Sequence, residues 1–335
     1  MPCCKTTIYA FALCFSVLCL SCNKEYVTHQ GFTEGTTYKI VYESPDGTSY
    51  EGEIVQLLQQ FNESLSTYLP HSLISRINRN EPGVEVDDYF RTVFDKAREV
   101  YEASGGVFDV TIAPIVNLWG FGFTSDPSGM DTAKIDSLLQ YVGMQKVRIV
   151  EGKVVKDSPG VMFDVNAIAK GYSVDVVADF LQKKGCRNCL VEIGGEIVAR
   201  GVNSSGKSWQ VGIDRPADNA VPGEELQAIV TLADKALATS GNYRRFFEKD
   251  GVKYAHSIDV KTGYPVRHHL LSATVVADDC ITADAWATVC MVSGLEKSIE
   301  LMENRPELEA FLVYSDRQGN YRTYITKGLR DAIVE

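Results

Sequence analysis

An aspartate and a threonine stand four residues apart in the segment ITADAWATV, at Asp284 and Thr288. This spacing places both side chains on one face of a helix. Carboxylate and hydroxyl oxygens suit Mg²⁺, which takes few protein ligands and leaves other positions to water and substrate phosphates. The pattern Asp-x-x-x-Thr is common, and an aspartate near a helix start often serves the helix dipole instead. The pair is therefore a candidate metal site with a structural alternative.

A histidine stands where a predicted strand reaches a turn. The stretch KYAHSIDVKTGYPV places His256 after a strand-like run and before a turn marked by Gly263 and Pro265. A neutral imidazole can take a proton from an alcohol near neutral pH, and a strand end beside a loop can present it to a ligand. On an alternating count, His256 shares a face with Tyr254 and Val252, so a buried core histidine is the alternative.

A carboxylate and an ammonium group flank the start of a predicted helix over 167–185. Asp164 ends an apolar strand, where it can cap the helix or accept hydrogen bonds from a ligand at the helix N-terminus. Lys170 lies one turn inside, where its charge opposes the helix dipole and favours an anionic partner.

Aromatic side chains are concentrated in the segment SGGVFDVTIAPIVNLWGFGF, residues 104–123, which also carries Asp109. This segment predicts either a core loop around Trp119 or a wall for a flat aromatic ligand. Tyr68 follows a predicted helix and is placed to stack on such a ligand. The turn in ATSGNYRRF fits a phosphate site or a tight hairpin equally well.

Periodicity predicts the elements that would position these residues. Apolar residues at helical spacing predict helices over 51–66, 87–104, 167–185, 281–294 and 295–304. Strands are predicted over 35–43, 146–150, 153–157, 188–193, 196–202, 208–214, 226–233, 236–240, 252–258, 271–277, 308–316 and 321–326. A loop-rich stretch is expected up to about residue 140. Runs of strands with inserted helices predict an α+β fold with a largely antiparallel sheet and two interlocked lobes.

The charge balance and the N-terminus restrict the class of protein. A net charge of −11 argues against a nucleic-acid surface, which would need clustered Lys and Arg. The apolar run from Ile8 to Leu20 is too short for an ordinary spanning helix and predicts a secretory signal peptide, residues 1–21. CLSC at its end resembles a bacterial lipobox, which predicts lipidation at Cys22 and a tether over 22–34. A plain signal peptide with a stray cysteine is the alternative.

Two cysteines beyond that segment form the motif CRNC, Cys186 and Cys189. A zinc site would need two more ligands, and none lies nearby in sequence. We expect structural thiols, although an export compartment permits a disulfide.

Taken in order, six segments resemble the ApbE family of FAD:protein FMN transferases. They are STYLPHSLISRIN, GGVFDVTIAPIVNLWGFG, FDVNAIAKGYSVD, LVEIGGEIVARG, ATSGNYRRFFEKDGVKYAHSIDVKTGYPV and ADAWATV. The resemblance begins near Gly35 and implies an ApbE-like domain over 35–335.

The resemblance implies that FAD is the substrate, with Mg²⁺ on its pyrophosphate, and that FMN passes to a Thr hydroxyl of a target flavoprotein with release of AMP. Asp284 and Thr288 match the metal ligands, joined by the main-chain carbonyl of Ala167, and His256 matches the proposed base. The positions that match FAD contacts are Tyr68 beside the isoalloxazine ring, Val107, Phe108, Asp109, Asp164, Lys170 and Ile258.

The resemblance also implies a partner and a location. The acceptor would be a subunit of a membrane redox complex, and the lipid anchor would hold the enzyme on the periplasmic side of the inner membrane. An FAD pyrophosphatase that gives FMN and AMP, or a flavin-binding lipoprotein without activity, are the alternatives. Glu34 stands where the family usually has Met, and Ala255 and Val260 replace the usual Ser and Pro.

Overall fold

The computed structural model describes residues 25–124, 131–216, 223–242, 246–249 and 252–334. The predicted signal peptide and the lipidation residue Cys22 lie outside these ranges. Within them, no helix has the length and apolar character needed to cross a bilayer.

Nine α-helices occur in the described part of the chain. They are α1 (Glu51–Leu65), α2 (Leu73–Asn78), α3 (Asp88–Ala103), α4 (Ala113–Leu118), α5 (Ile135–Leu139), α6 (Ala169–Lys183), α7 (Cys280–Ser293), α8 (Leu295–Glu303) and α9 (Lys327–Arg330). The five predicted helices are confirmed to within two residues at each end. The stretch expected to be loop-rich contains α4 and α5, which are only six and five residues long.

The described ranges also contain fifteen strands. In chain order they are β1 (Glu25–Thr33), β2 (Thr36–Ser44), β3 (Val147–Val150), β4 (Lys153–Lys156), β5 (Cys189–Ile193), β6 (Glu196–Arg200), β7 (Trp209–Asp214), β8 (Leu226–Leu232), β9 (Ala236–Gly241), β10 (Phe246–Lys249), β11 (Val252–Ala255), β12 (Leu270–Ala277), β13 (Glu309–Ser315), β14 (Tyr321–Ile325) and β15 (Ile333–Val334).

An eight-stranded sheet organises the molecule, in the order β1-β2-β5-β6-β9-β12-β13-β14. Every neighbouring pair in it is antiparallel. Three smaller antiparallel units accompany it: β15-β8-β7, β3-β4 and β10-β11. The α+β class with a largely antiparallel sheet is therefore confirmed.

The large sheet is covered on both faces, because its side chains alternate between two cores. On β12, Val275 belongs to a core shared with the helices, whereas Val276 belongs to a core shared with β7 and β8. Helices α6 and α7 pack on the first face, against strands β5, β6, β9 and β12. These two helices and the strand ends beneath them carry the candidate site.

The predicted tether over residues 22–34 is wrong for most of its length, because Glu25–Thr33 forms the edge strand β1. This strand pairs with β2 from end to end. Its sequence, EYVTHQGFT, has few apolar residues, so its hydrophobic alternation is weak. A polar sequence is tolerated here because an edge strand pairs on one side only. Inside it, His29 is buried and its Nε2 lies 3.0 Å from the Tyr42 hydroxyl.

Candidate active site

The first turn of α6 lies directly against α7. The main-chain N–H of Gly171 donates to Asp284 Oδ2 at 2.9 Å. A Cβ at Gly171 would lie 2.3 Å from the carbonyl oxygen of Cys280 and 2.7 Å from Asp284 Cβ. Only glycine permits this approach, and Asp284 is thereby fixed at the start of α6.

A second carboxylate ties the same helices in the opposite direction. Asp175, on α6, accepts hydrogen bonds from the main-chain N–H groups of Cys280 and Ile281, both at 2.8 Å. These groups open α7, where a helix leaves its N–H groups without internal partners. Burial raises the pKa of Asp175 to about 7, and the two N–H donors oppose that rise. The two carboxylates together fix the relative position of α6 and α7.

The predicted metal ligands share this junction. Thr288 lies one turn after Asp284 on α7, and its hydroxyl is 3.4 Å from that of Ser240, near the end of β9. In a regular helix the Gly171 N–H would bond to the Ala167 carbonyl, but here it bonds to Asp284. Among the main-chain hydrogen bonds of the described residues, none ends on the Ala167 carbonyl. This oxygen is thus left for another partner.

These three groups fit a magnesium ion by the chemistry of their donors. They offer one carboxylate, one hydroxyl and one carbonyl, all hard oxygen ligands. No cluster of three or more His, Cys, Asp or Glu side chains that could hold a metal occurs in the described ranges. The predicted set contains only one such side chain, Asp284, so it is a site of a different kind.

A buried ion pair lies beside the junction. Lys170 Nζ is 2.6 Å from Glu196 Oε1, and Glu196, the first residue of β6, is almost fully buried. Burial opposes the charge of Lys170, but Glu196 and Asp284 outweigh it and raise the pKa of the ammonium group. Burial also raises the pKa of Glu196 to about 7, against the attraction of Lys170. Lys170 is therefore a cation whose charge two buried carboxyl groups, Glu196 and Asp284, stabilise.

Two of the predicted site carboxylates accept hydrogen bonds from neighbouring groups of the protein. Asp109 accepts hydrogen bonds from the Thr111 N–H (2.8 Å), the Thr111 hydroxyl (2.6 Å) and the Met144 N–H (3.1 Å). Asp164 accepts from the Asn166 N–H at 2.9 Å, and its own N–H donates to Val110 at 2.7 Å. The segment around Asp109 is thus joined to the segment that leads into α6. Burial raises the pKa of both carboxyl groups.

The predicted base, His256, is connected to the end of β9 through its neighbour Ser257. His256 follows β11, is half-buried and meets the edge of the Phe121 ring, with centroids 6.4 Å apart. The next residue, Ser257, donates to Asn242 Oδ1 at 3.0 Å. Asn242 follows β9, which carries Ser240, so this bond connects the His256 segment to the strand that meets Thr288.

The aromatic segment serves mainly as core. Trp119 is 4% exposed, and its indole N–H donates to the Gly263 carbonyl at 2.8 Å. Ile258 lies in the same small core, and Phe108 is buried in the main core. Val107 is half-buried. The prediction of a core loop around Trp119 is confirmed, and it fixes the loop that follows His256.

Tyr68 differs from these residues because 57% of its surface is exposed. It lies three residues beyond the end of α1, where an aromatic ring is open to a ligand or a partner.

The CRNC cysteines are structural. Cys186 and Cys189 are both buried free thiols. Burial raises their pKa values to about 11 and about 12, so neither thiol ionises readily.

Three residues of the site were not identified as site residues from the sequence. In the sequence, Glu196 stands only as the first residue of the strand predicted over 196–202, although a glutamate that opens an apolar strand such as EIVAR is unusual. Asp175 had no local signal beyond its place on α6. Glu34 stands in the sequence only as a departure from the family pattern; it is half-buried, and its Oε1 is closed to solvent without a hydrogen-bond partner. Burial raises the pKa of its carboxyl group to about 8, and the charges of Lys170 and Asp284 also act on it.

Comparisons with known proteins agree on one family. The sequence profile of the ApbE family matches residues 35–312. The FAD:protein FMN transferase of Vibrio cholerae is 39% identical over 302 residues, which cover 87% of this chain and 89% of that protein. The protein of the same name from Haemophilus influenzae is 36% identical, covering 96% and 94%. The solved structure of the flavin transferase ApbE from Vibrio cholerae superposes with a TM-score of 0.82 and 35% identity, covering 92% and 99%. This chain belongs to the ApbE family.

Proposed function

We propose that this protein is a Mg²⁺-dependent FAD:protein FMN transferase, which moves FMN from FAD to a Thr hydroxyl of a target flavoprotein and releases AMP. The observation that carries the proposal is the α6–α7 junction, where Asp284, Thr288 and the Ala167 carbonyl offer three oxygen ligands beside the cation Lys170. The names of the relatives described above support the same activity.

The bonds that change follow from the products. The Thr oxygen of the acceptor forms a bond to the flavin-side phosphorus, and the bond from that phosphorus to the bridging oxygen breaks. The bridging oxygen leaves with AMP, and the hydroxyl proton must pass to a base. Mg²⁺ held by Ala167, Asp284 and Thr288 would neutralise charge on the pyrophosphate oxygens.

The chain's own groups have distinct tasks in this reaction. Lys170 supplies a fixed positive charge for the pyrophosphate, because Glu196 holds its ammonium group from the buried side. His256 receives the proton from the acceptor hydroxyl, a transfer typically worth about 10²–10⁴ in rate. Tyr68, open to solvent beyond α1, stacks on the isoalloxazine ring. The other matched positions shape the FAD pocket mainly through main-chain groups; they are Val107, Phe108, Asp109, Asp164 and Ile258.

One incubation tests the proposal. The purified protein, FAD, MgCl₂ and an exported FMN-carrying subunit of a membrane redox complex are combined, and the acceptor is weighed by mass spectrometry. We expect one FMN per acceptor Thr and an equal amount of AMP. Replacing the acceptor Thr with Val is the matched control and should abolish the mass gain. AMP and free FMN without any acceptor modification would identify a pyrophosphatase, and FAD returned intact would identify a flavin-binding protein.

The location of the protein is a separate part of the proposal. We propose that lipidation at Cys22 anchors it to the inner membrane, facing the periplasm; the motif CLSC after an apolar run supports this. Cys22→Ser should move the protein from the membrane fraction to the soluble fraction or block its processing. A wild-type mature protein that is fully soluble and begins before Cys22 would contradict it.

A further inference from the structure

Helix α2 is hydrogen-bonded to two segments of the chain that are proposed to hold FAD. Its sequence context, HSLISRIN, places polar side chains at Ser72, Ser75 and Asn78, at intervals of three residues. All three residues are buried, and a buried polar side chain needs a hydrogen-bond partner to offset its lost hydration. A helix of six residues is too short to be stable by itself, so its contacts decide its position.

The N-terminal end of α2 holds the loop that carries Tyr68. The Ser72 hydroxyl donates to the Ser66 carbonyl at 2.7 Å, and the Ser75 N–H donates to Ser72 Oγ at 3.2 Å, which caps the helix. The Ser75 hydroxyl lies 3.4 Å from the carbonyl oxygens of Ser66 and Thr67. Ser66 and Thr67 directly precede Tyr68, so these bonds fix the main chain from which its ring extends.

The C-terminal end of α2 holds the segment that carries Asp164. Asn78 Oδ1 accepts from the Phe163 N–H at 2.7 Å, and Asn78 Nδ2 donates to the Phe163 carbonyl at 2.9 Å. One amide side chain thus bonds to both main-chain groups of a residue that is almost fully buried. Asp164 comes next, and its own N–H donates to the Val110 carbonyl at 2.7 Å. The main chain that leads into Asp164 is therefore fixed.

Both segments depend on such bonds because neither is regular structure. Residues 66–72 and 163–168 lie outside the helices and strands. Helix α2 is itself anchored in the main core by the buried side chains of Ile74 and Ile77. It can therefore hold both segments against one core in a single relative position. Loops that are ordered before a ligand arrives bind it more tightly, because no affinity is lost in ordering them.

We propose that α2 positions the FAD site, with Ser72 acting on Tyr68 and Asn78 acting on Asp164. This inference rests on the proposed function, in which Tyr68 and Asp164 contact FAD. Ser72 and Asn78 are positioning residues, because each acts through the main chain next to a residue that contacts the substrate.

A crossed set of double mutants tests the two halves of this inference. Ser72→Ala and Asn78→Leu should each weaken FAD binding by about 3- to 30-fold in Kd, as expected for coupling within one hydrogen-bond network. In a Tyr68→Ala background the effect of Ser72→Ala should fall below about twofold, whereas the effect of Asn78→Leu should persist. In an Asp164→Ala background this pattern should reverse. Kd is measured by equilibrium dialysis with FAD and MgCl₂, and the melting temperature of every variant is recorded.

Thr326→Val is the matched control, because it also removes a side-chain acceptor from a buried main-chain group. The Ala310 N–H donates to Thr326 Oγ1 at 2.9 Å, and Thr326 follows β14, at the opposite edge of the large sheet from β1. This variant should have a lower melting temperature and an unchanged Kd for FAD. If Asn78→Leu does not fold, Asn78→Asp, which keeps the acceptor for the Phe163 N–H, replaces it in the same cycles.

Three results would overturn the inference. One is an equal effect of Ser72→Ala, or of Asn78→Leu, in both backgrounds, because that end of α2 would then act on no particular FAD contact. Another is a folded α2 variant that binds FAD within about twofold of wild type. The third is a loss of FAD affinity in Thr326→Val as large as that in Asn78→Leu, which would indicate general loosening of the fold.

Failure of the proposed function would look different. A wild-type protein that does not bind FAD, or Tyr68→Ala and Asp164→Ala variants that bind it as wild type does, would overturn the FAD site itself and this inference with it. That result is distinct because it requires no change in α2.

Discussion

Replacing Gly171 with Ala tests whether the α6–α7 junction positions the metal ligands. The new Cβ would meet the Cys280 carbonyl oxygen at 2.3 Å, against an ordinary contact of 3.4–4 Å. The obstacle is main chain, which cannot rotate away as a side chain could. Helix α7 must therefore move from α6 by about 1 Å, and the hydrogen bond from Gly171 to Asp284 lengthens.

The size of the effect follows from these distances. Inserting a methylene-sized group into a packed contact destabilises a protein by about 1–3 kcal/mol. The better helix propensity of Ala offsets up to about 1 kcal/mol of that. A net loss of about 1–2 kcal/mol lowers the melting temperature of a chain of this size by about 1–3 °C, because the entropy of unfolding grows with chain length. Groups that orient a metal ligand commonly change metal affinity by about 10–100-fold.

Two measurements and one control decide the result. The melting temperature should fall, and the Mg²⁺ concentration for half-maximal FAD turnover should rise by about tenfold or more. Gly52→Ala, near the start of α1, is the matched control, because nothing lies within 4 Å of its added Cβ. That variant should be as stable as wild type or slightly more stable, with unchanged Mg²⁺ dependence. Wild-type stability and Mg²⁺ dependence in Gly171→Ala would refute the role given to the junction.

Three further predictions test other groups. His256→Asn should slow FMN transfer by about 10²–10⁴-fold with FAD affinity nearly unchanged, because the imidazole acts on the acceptor; an unimpaired rate on folded protein would make His256 structural and leave Asp259 among the candidate bases. Asp284→Ala should abolish Mg²⁺-dependent turnover while FAD binding survives in part, because Tyr68 and the segment around Asp109 lie elsewhere; turnover at the wild-type rate would reduce Asp284 to a helix-packing residue. Burial raises the pKa of Asp175 to about 7 in the folded protein, whereas an unfolded aspartate loses its proton near pH 4. Between these pH values only the folded state keeps the proton. The free energy of unfolding should therefore fall as pH rises from about 4 to about 7, by at most about 4 kcal/mol. Urea unfolding of wild type and Asp175→Asn at pH 5 and pH 7.5 measures this; equal pH dependence of the two proteins would show that Asp175 does not titrate in that range.

The sequence by itself determined the helices of the site and one pair of its ligands. Helical periodicity located α6 and α7 to within two residues, and the four-residue spacing put Asp284 and Thr288 on one face. These features are local, because a helix repeats within a few residues and its pattern can be read from a short window. Ordered motifs also identified the family, which the comparisons confirm.

The short elements could not be predicted in the same way. Helices α4 and α5 contain too few residues for a clear period, and β1 is an edge strand with a mostly polar sequence. Each is stabilised by tertiary packing more than by its own propensity.

Only the tertiary structure decided which charged groups are buried together. Lys170 and Glu196 are 26 residues apart, and Gly171 and Asp284 are 113 apart. Glu34 and Glu151 stand in two Glu-Gly turns with nearly equal φ values, yet Glu34 is half-buried with its Oε1 closed to solvent, and Glu151 is exposed. Local sequence sets the backbone of such a turn, whereas the surroundings of its side chain depend on which distant segments the sheet brings against it.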